Sequence, residues 1–376
     1  MNKSTPNSSV KKTTKGAAKG RAVAVDWTRV ATIGIDVGDR FSSYCAIDSS
    51  GTIVAEGRIT TTVGAIELEL GQISRKTVAI EAGMHSPWMS RLLNRLGHEV
   101  IVANPRKLRL IYENQHKNDR VDAQYLARIA RLDPKLLGAI EHRSELGQSH
   151  LALLRARDVL VRARVRLIHH VRAAIKSIGS PVPSGHTDAF HKRMRSAIPE
   201  LLRGSLDPLV ETVEQLTARI HEFDRKIERL AEDRYPETEV LTQVAGVGPL
   251  TALAFMLTVD DHRRFRTSRS VGAWIGLTPG QCQSGESNPQ RHITKQGDHY
   301  LRRLLVGSAQ YILGPFGTDS DLRRHGLAIA ARGGKNAKKR AAVAVARKLA
   351  VLLHHLWRTL DVYEPLHTTK TRRKAA

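Results

Sequence analysis

Four carboxylates stand where a strongly basic chain has least reason to put them. Asp36 ends the apolar run ATIGID, Glu81 ends TVAIE, and Asp119 and Asp122 lie three residues apart in KNDRVDAQYLARIA. The chain carries 60 Lys and Arg against 36 Asp and Glu, a net charge of +24, so acids at the ends of apolar runs need a partner. Brought together alone they would repel, and one or more would stay protonated. A divalent cation removes that conflict. Mg²⁺, or Mn²⁺, takes oxygen ligands and holds and polarises phosphate, which points to chemistry on a nucleic-acid backbone. Each acid also has a plainer use. Asp36 would cap a turn before Gly38, Glu81 would cap the helix that follows, and Asp119 would be an N-cap with Asp122 as its acidic N3 partner. Taken jointly, four acids at matching positions of one fold favour the metal site.

A second constellation, QCQSGES, sets Ser284 and Ser287 ahead of Arg291, Lys295 and a helix carrying Arg302 and Arg303. A serine hydroxyl is a weak nucleophile until a base or metal activates it. Arg and Lys nearby stabilise the charge of phosphoryl transfer. Gly285 would let a DNA backbone approach, although a lone Ser-Gly is more often just a turn. Upstream, VAGVGPL places Gly246 and Gly248 between two apolar stretches. That resembles a helix-hairpin-helix, whose amides can approach a phosphate, and an ordinary tight turn between helices would read the same way.

The 376 residues have room for two or more domains. The charge balance calls for a polyanionic partner, since Lys and Arg displace counterions from phosphate. Two cysteines, Cys45 and Cys282, are too few for a disulfide framework or an all-cysteine zinc site, so a reducing, cytoplasmic setting is expected. No run approaches the ~20 apolar residues of a membrane span. Residues 1–29 read as a disordered basic tail.

Residues 30–141 alternate strand and helix signals. Three strands, over 31–38, 42–48 and 52–60, are joined by hairpins. Then come a helix over 64–74, a buried strand at 77–80, a helix over 87–96 capped by Ser86, a strand at 98–103, and a helix over 119–132. That is the element order of a ribonuclease-H-like domain, with its first strand central. Residues 142–235 look helical and elongated. Leu153, Leu160 and Leu167 repeat at sevens, and Leu209, Val213, Leu216, Ile220, Phe223, Ile227 and Leu230 alternate fours and threes, as in a coiled coil. An intramolecular hairpin and a dimerisation arm both fit. Residues 236–331 hold the glycine turn and the serine loop. Residues 332–376 hold a basic helix with Ala341, Val345, Leu349 and Leu352 on one face. The fold class is therefore α/β plus all-α.

The motifs IGIDVG, AIEAGMHSPW, NPRKLRLI, KNDRVDAQYLA, VAGVGPLTA, GAWIGLTPGQCQSGE and ITKQGDHYLRRLL together resemble the DEDD-type insertion-sequence transposases, a family with a RuvC-like N-terminal domain and a C-terminal transposase domain. The resemblance implies that Asp36, Glu81, Asp119 and Asp122 bind Mg²⁺. It implies Ser284 as the DNA nucleophile, through a covalent phosphoserine intermediate, with Ser287 as the fallback. It also implies double-stranded donor and target DNA, a structured guide RNA, and a dimer or tetramer in a bacterial or archaeal cell, near the nucleoid. Two other classes open similarly. An actin-like kinase would need a second Asp-x-Gly motif and an adenine-binding glycine pair, which are not evident. A RuvC-like junction resolvase would not need the long second half.

Overall fold

The computed structural model describes residues 25–108, 118–289 and 291–367. Most of the expected basic tail, part of NPRKLRLI and the last residues of the chain lie outside these. The chain forms two compact units that divide between His142 and Arg143.

In the first unit, β1 (Thr32–Asp36), β2 (Phe41–Ile47) and β3 (Ile53–Thr60) form an antiparallel meander. After α1 (Val63–Leu70) the chain returns as β4 (Thr77–Glu81), then α2 (Ser86–Arg95), then β5 (Glu99–Ala103). Both late strands are parallel additions, giving the order β3-β2-β1-β4-β5 with β1 in the centre. The reason lies in the side-chain pattern. Strands β1 and β4 are apolar on both faces, as interior parallel strands must be. Ile33, Ile35, Val78 and Ile80 enter a core with Met89, Leu92 and Leu93. The other face is covered by α3 (Asp119–Leu132). There the strand residues are small, because the helix comes very close. A Cβ added to Gly34 would lie 2.1 Å from the Ala123 carbonyl oxygen and 2.4 Å from the Ala127 nitrogen.

In the second unit, α4 (Glu145–Ser177) and α6 (Glu200–Arg234) pack along one another, with α5 (Phe190–Ala197) wedged at the turn between them. The pair is antiparallel. Arg157 bonds Asp224 near one end, and Arg164 reaches Thr217 and Asp188 further along. The buried row of α6 is Leu206, Val210, Val213, Thr217, Ile220, Ile227 and Ala231. The expected heptad seam shares Val213, Ile220 and Ile227 with it, while Leu209, Leu216, Phe223 and Leu230 are only half-buried flanks. Leu153, Leu160 and Leu167 likewise flank the buried row of α4.

The far end of this hairpin merges with the C-terminal helices. Leu151, Leu154, Ile227 and Ala231 share a core with Leu253, Ala254, Leu257 and Tyr300. A larger core is built from α7 (Thr238–Thr242), α8 (Pro249–Val259), α9 (Arg269–Trp274), α10 (His299–Leu313), α11 (Asp321–Ala330) and α12 (Ala337–Thr359). The segments expected at 142–235, 236–331 and 332–376 therefore lie in one compact unit. Among the described residues no helix is long and apolar enough to cross a membrane.

Packing in the first unit is open to two measurements. Gly34→Val drives a branched side chain into the α3 backbone, so urea unfolding should show a loss of roughly 3 kcal/mol or more, above the ordinary overpacking cost. Burial, followed by the nearby Glu56, pushes the Cys45 thiol up to about 12, whereas Cys282 is exposed. A thiol reagent at mildly alkaline pH should therefore titrate Cys282 in the native protein and reach Cys45 only after denaturation.

Candidate active site

The carboxylates come from the first unit. In the parallel pairing of β1 with β4, Gly34 lies opposite Ala79 and Ile35 opposite Ile80. One more step along that register sets Asp36 beside Glu81. Side chains alternate along strands, so Asp36 shares the face of Gly34, and Glu81 that of Ala79. This is the face beneath α3, since Ala79 packs with Leu126 and Ala130. The direction of α3 follows from its contacts. Arg131, in its last turn, donates to the Ser49 carbonyl oxygen at 3.0 Å, beyond the Thr32 end of β1, and Ala123 sits over Gly34. The first turn, with Asp119 and Asp122, therefore points toward the Asp36 and Glu81 end.

Asn118, not Asp119, is the N-cap of α3; its side chain accepts from the Val121 N–H at 2.9 Å. Asp119 and Asp122 are thus relieved of the capping task that the sequence allowed them. Asp119 is exposed, Asp36 and Glu81 are half-buried, and Asp122 is only 6% exposed. Glu81 does not cap α2 either. His85 holds that position without a side-chain cap bond, and Ser86, the expected cap, is the first helical residue.

An all-carboxylate donor set at one end and one face of a sheet suits a hard divalent cation such as Mg²⁺ or Mn²⁺. Yet among the described residues no three His, Cys, Asp or Glu side chains are drawn close enough together to hold a metal ion. Strand register and the direction of α3 set the four acids toward one end and one face of the sheet.

Sequence reasoning missed a clamp beside these acids. The His85 ring bonds Asp39 Oδ1 through Nε2 at 3.1 Å and accepts from the Trp88 indole N–H at Nδ1, also at 3.1 Å. An indole nitrogen only donates, so the hydrogen of His85 sits on Nε2. The bond ties the loop after Asp36 to the loop after Glu81. The signal was present in GMHSPW, a His three residues before a Trp at helical spacing.

The serine arm belongs to the second unit. Thr278 and Gly280 pair with Thr294 and His292 through backbone bonds, so residues 278–280 and 292–294 form a short ribbon. Gly276 and Gly297 fix its base. A Cβ on Gly276 would lie 2.2 Å from the Gln296 oxygen, and one on Gly297 2.3 Å from the Trp274 oxygen. At the tip, Ser284 and Ser287 exchange both backbone hydrogen bonds, at 3.1 and 3.0 Å, around Gly285 and Glu286. Gly285 has φ +55°, which glycine supplies at the first central position of a two-residue hairpin turn. Both hydroxyls are on exposed residues.

The structure sorts the remaining expected contacts. Arg291 and Lys295 flank the ribbon and line a broad cavity. Arg302 is a correction. It is only 9% exposed, and its guanidinium donates to the Ile275 and Gln296 carbonyls at 2.7 and 2.8 Å, so it braces the arm from within instead of meeting phosphate. Arg303 pairs with Asp158 and lies over the Tyr300 ring at 5.4 Å. Gly246 has φ +87°, and a Cβ there would lie 2.9 Å from the Tyr311 ring. Close packing on α10 thus explains Gly246, while Gly248 caps α8 with open space around it.

Residues 33–179 match a family model for DEDD transposases of the IS110 kind, described as a transposase. Residues 238–316 match one described as a transposase of the IS116/IS110/IS902 family. The transposase for insertion sequence element IS1328 of Yersinia enterocolitica is 30% identical over 289 residues, covering 75% of this chain and 83% of that protein. The transposase for insertion sequence element IS1111A of Coxiella burnetii is 27% identical over 352 residues, covering 89% and 91%. A probable family 20 transposase of Pseudomonas aeruginosa is 27% identical over 344 residues, covering 89% and 99%.

Arg302→Met leaves two buried carbonyls without their charged donor. Urea unfolding should then register a loss of about 1.5–3 kcal/mol, and amide exchange over residues 276–297 should speed up. Unchanged exchange in the arm would remove the bracing role.

Proposed function

The chain belongs to the DEDD-type insertion-sequence transposases, and from that premise we propose that it cuts and rejoins double-stranded DNA with Ser284 as nucleophile. The observation that carries this reading is the exposed turn at the tip of the serine arm, which presents a hydroxyl on a braced base. The Ser284 Oγ attacks a backbone phosphorus, a phosphoserine ester forms, and the bond to one deoxyribose oxygen breaks. The hydroxyl proton passes to a carboxylate base, and the leaving oxygen takes up a proton. Rejoining reverses these steps with an oxygen from another strand. Ser287, across the turn, is the fallback nucleophile.

Asp36, Glu81, Asp119 and Asp122 are the residues that would hold Mg²⁺ or Mn²⁺. Bound there, the ion would supply Lewis-acid polarisation of the phosphate. The chain's own part is to keep the acids at one sheet end and the His85 clamp between their loops. Arg291 and Lys295 steer the phosphate, and Gly248 leaves the α8 amides accessible to it. Carboxylates and serine lie in different units, so catalysis draws on residues of both, within one chain or between copies. The long helical hairpin suits a coiled-coil contact in a dimer or tetramer. A structured guide RNA is part of the same reading and agrees with the +24 charge. A junction resolvase is less favoured, because a carboxylate nuclease has no use for the serine arm.

With a nicked duplex as trap, the wild-type protein should form a covalent protein–DNA adduct and Ser284→Ala should form none. Adduct formation by Ser284→Ala that vanishes in Ser287→Ala would move the nucleophile across the turn. Asp36→Asn and Asp122→Asn should lose at least 100-fold in cleavage, as loss of a principal catalytic group does, while keeping DNA affinity.

A further inference from the structure

One face of α12 alternates in steps of four residues. Lys339 and Arg340 are followed by Val343 and Ala344, then Arg347 and Lys348, then Val351 and Leu352. The cations are exposed and the apolar residues half-buried. The opposite face, including Ala341, Val345, Leu349 and Leu353, is buried in the core. The alternation is therefore a surface property, separate from the packing that holds the helix in place.

This face is the floor of a cavity of about 1690 Å³, walled by α11 and by the base of the serine arm. Eight Lys or Arg line the cavity against three carboxylates. The acids, Asp321, Asp361 and Glu364, gather where residue 321 meets residue 365, leaving the Lys339–Lys348 end cationic. Among the described residues none of Lys339, Arg340, Arg347 and Lys348 has a carboxylate within ion-pair reach, and the α12 sequence contains no Asp or Glu. The field is felt across the cavity. Burial, then Lys348 and Arg332, hold the His325 imidazole below its usual range.

We propose that this face binds an unpaired DNA strand, with phosphates on the Lys339/Arg340 and Arg347/Lys348 pairs and bases against Val343, Val351 and Leu352. The inference rests on the DNA-recombining reading above and adds a site for the strand that recombination frees. A duplex shows its backbone and groove edges outward and gives the apolar steps little to meet. An unpaired strand brings base faces as well, which the apolar steps can cover, and grooves that take such strands track the backbone with cations. The two cationic pairs are eight residues apart, about 12 Å along the helix. That spans three to four nucleotides of a strand rising about 3.4 Å per nucleotide.

The test uses the full chain and a fluorescent thymidine oligonucleotide, read by anisotropy across a salt series. Arg347→Gln/Lys348→Gln should weaken binding at least tenfold and make the log–log salt slope shallower by about 1.4, the value for two phosphate contacts on a single strand. Lys339→Gln/Arg340→Gln should act alike, and both pairs are exposed, so the melting temperature should stay unchanged. Duplex of the same length should lose less than threefold. Unchanged single-strand affinity in both variants overturns the proposal. So does an equal loss on duplex, or a uridine oligonucleotide that binds tenfold tighter than the thymidine one. The covalent trap with the nicked duplex, run on the wild-type protein, reports separately on the serine chemistry. An intact adduct with no effect of the α12 variants sinks only the strand site.

Discussion

The approach of α3 to β1 at Gly34 is the contact on which the catalytic reading of the first unit rests. A helix carried over a sheet normally stands off by the length of the side chains between them. Here the strand offers glycine and alanine, and the helix offers Ala123 and Ala127, so backbone meets backbone. The close seat fixes where the first turn of α3 lies relative to the strand end two residues beyond Gly34. Asp122 precedes Ala123, and Asp36 follows Gly34 by one alternation. The same contact that removes water from the small-residue face therefore places two acids at its open end. A bulkier residue at 34 would lift the helix and separate them.

Much of this was legible beforehand because period and punctuation agreed. The β1 to β3 meander, the helix over 119–132 and the central place of β1 follow from alternating apolar residues broken by Gly38 and by Ser49, Ser50 and Gly51. Capping was harder to read. Asn, Asp and Ser all cap helices, and KND offers two such letters in a row, so only the observed Asn118 bond decides. The expected heptad seam differs from the buried row for a related reason. Two apolar rows run side by side on α6, and sequence spacing cannot say which one turns inward when Thr217 and Asp224 fall on the inner line. Thr217 and Asp224 are accepted there because arginines of α4 meet them.

Arginine is the residue type that sequence reading handles worst in this chain. A basic helix suggests phosphate contact, and Arg302 and Arg303 stand next to each other. Yet one turns inward to hold two carbonyls and the other lies on Tyr300 beside Asp158. Their neighbours decide, and those neighbours come from distant parts of the chain. On α12 the opposite holds. The helix sequence contains no Asp or Glu, and among the described residues no carboxylate pairs with its two cationic pairs, so the charge remains available to an outside anion.

The exposed serine arm and the open acid cluster share one physical feature. Each is positioned by backbone packing, the arm by Gly276, Gly297 and Arg302 and the acids by the seat of α3 on β1. The Ser284 and Ser287 hydroxyls stand on an exposed turn with Gly285 and Glu286 between them. Carboxylates set toward one end of a sheet favour a cation there, because it relieves their mutual repulsion. On the proposed reading the hydroxyl and the acids come from separate units of the chain. A protein with a charge of +24 will meet nucleic acid of any sequence by electrostatics alone. The bracing of the arm by Arg302 fixes where the Ser284 turn stands within its own unit, so folding of that unit alone settles the turn's position.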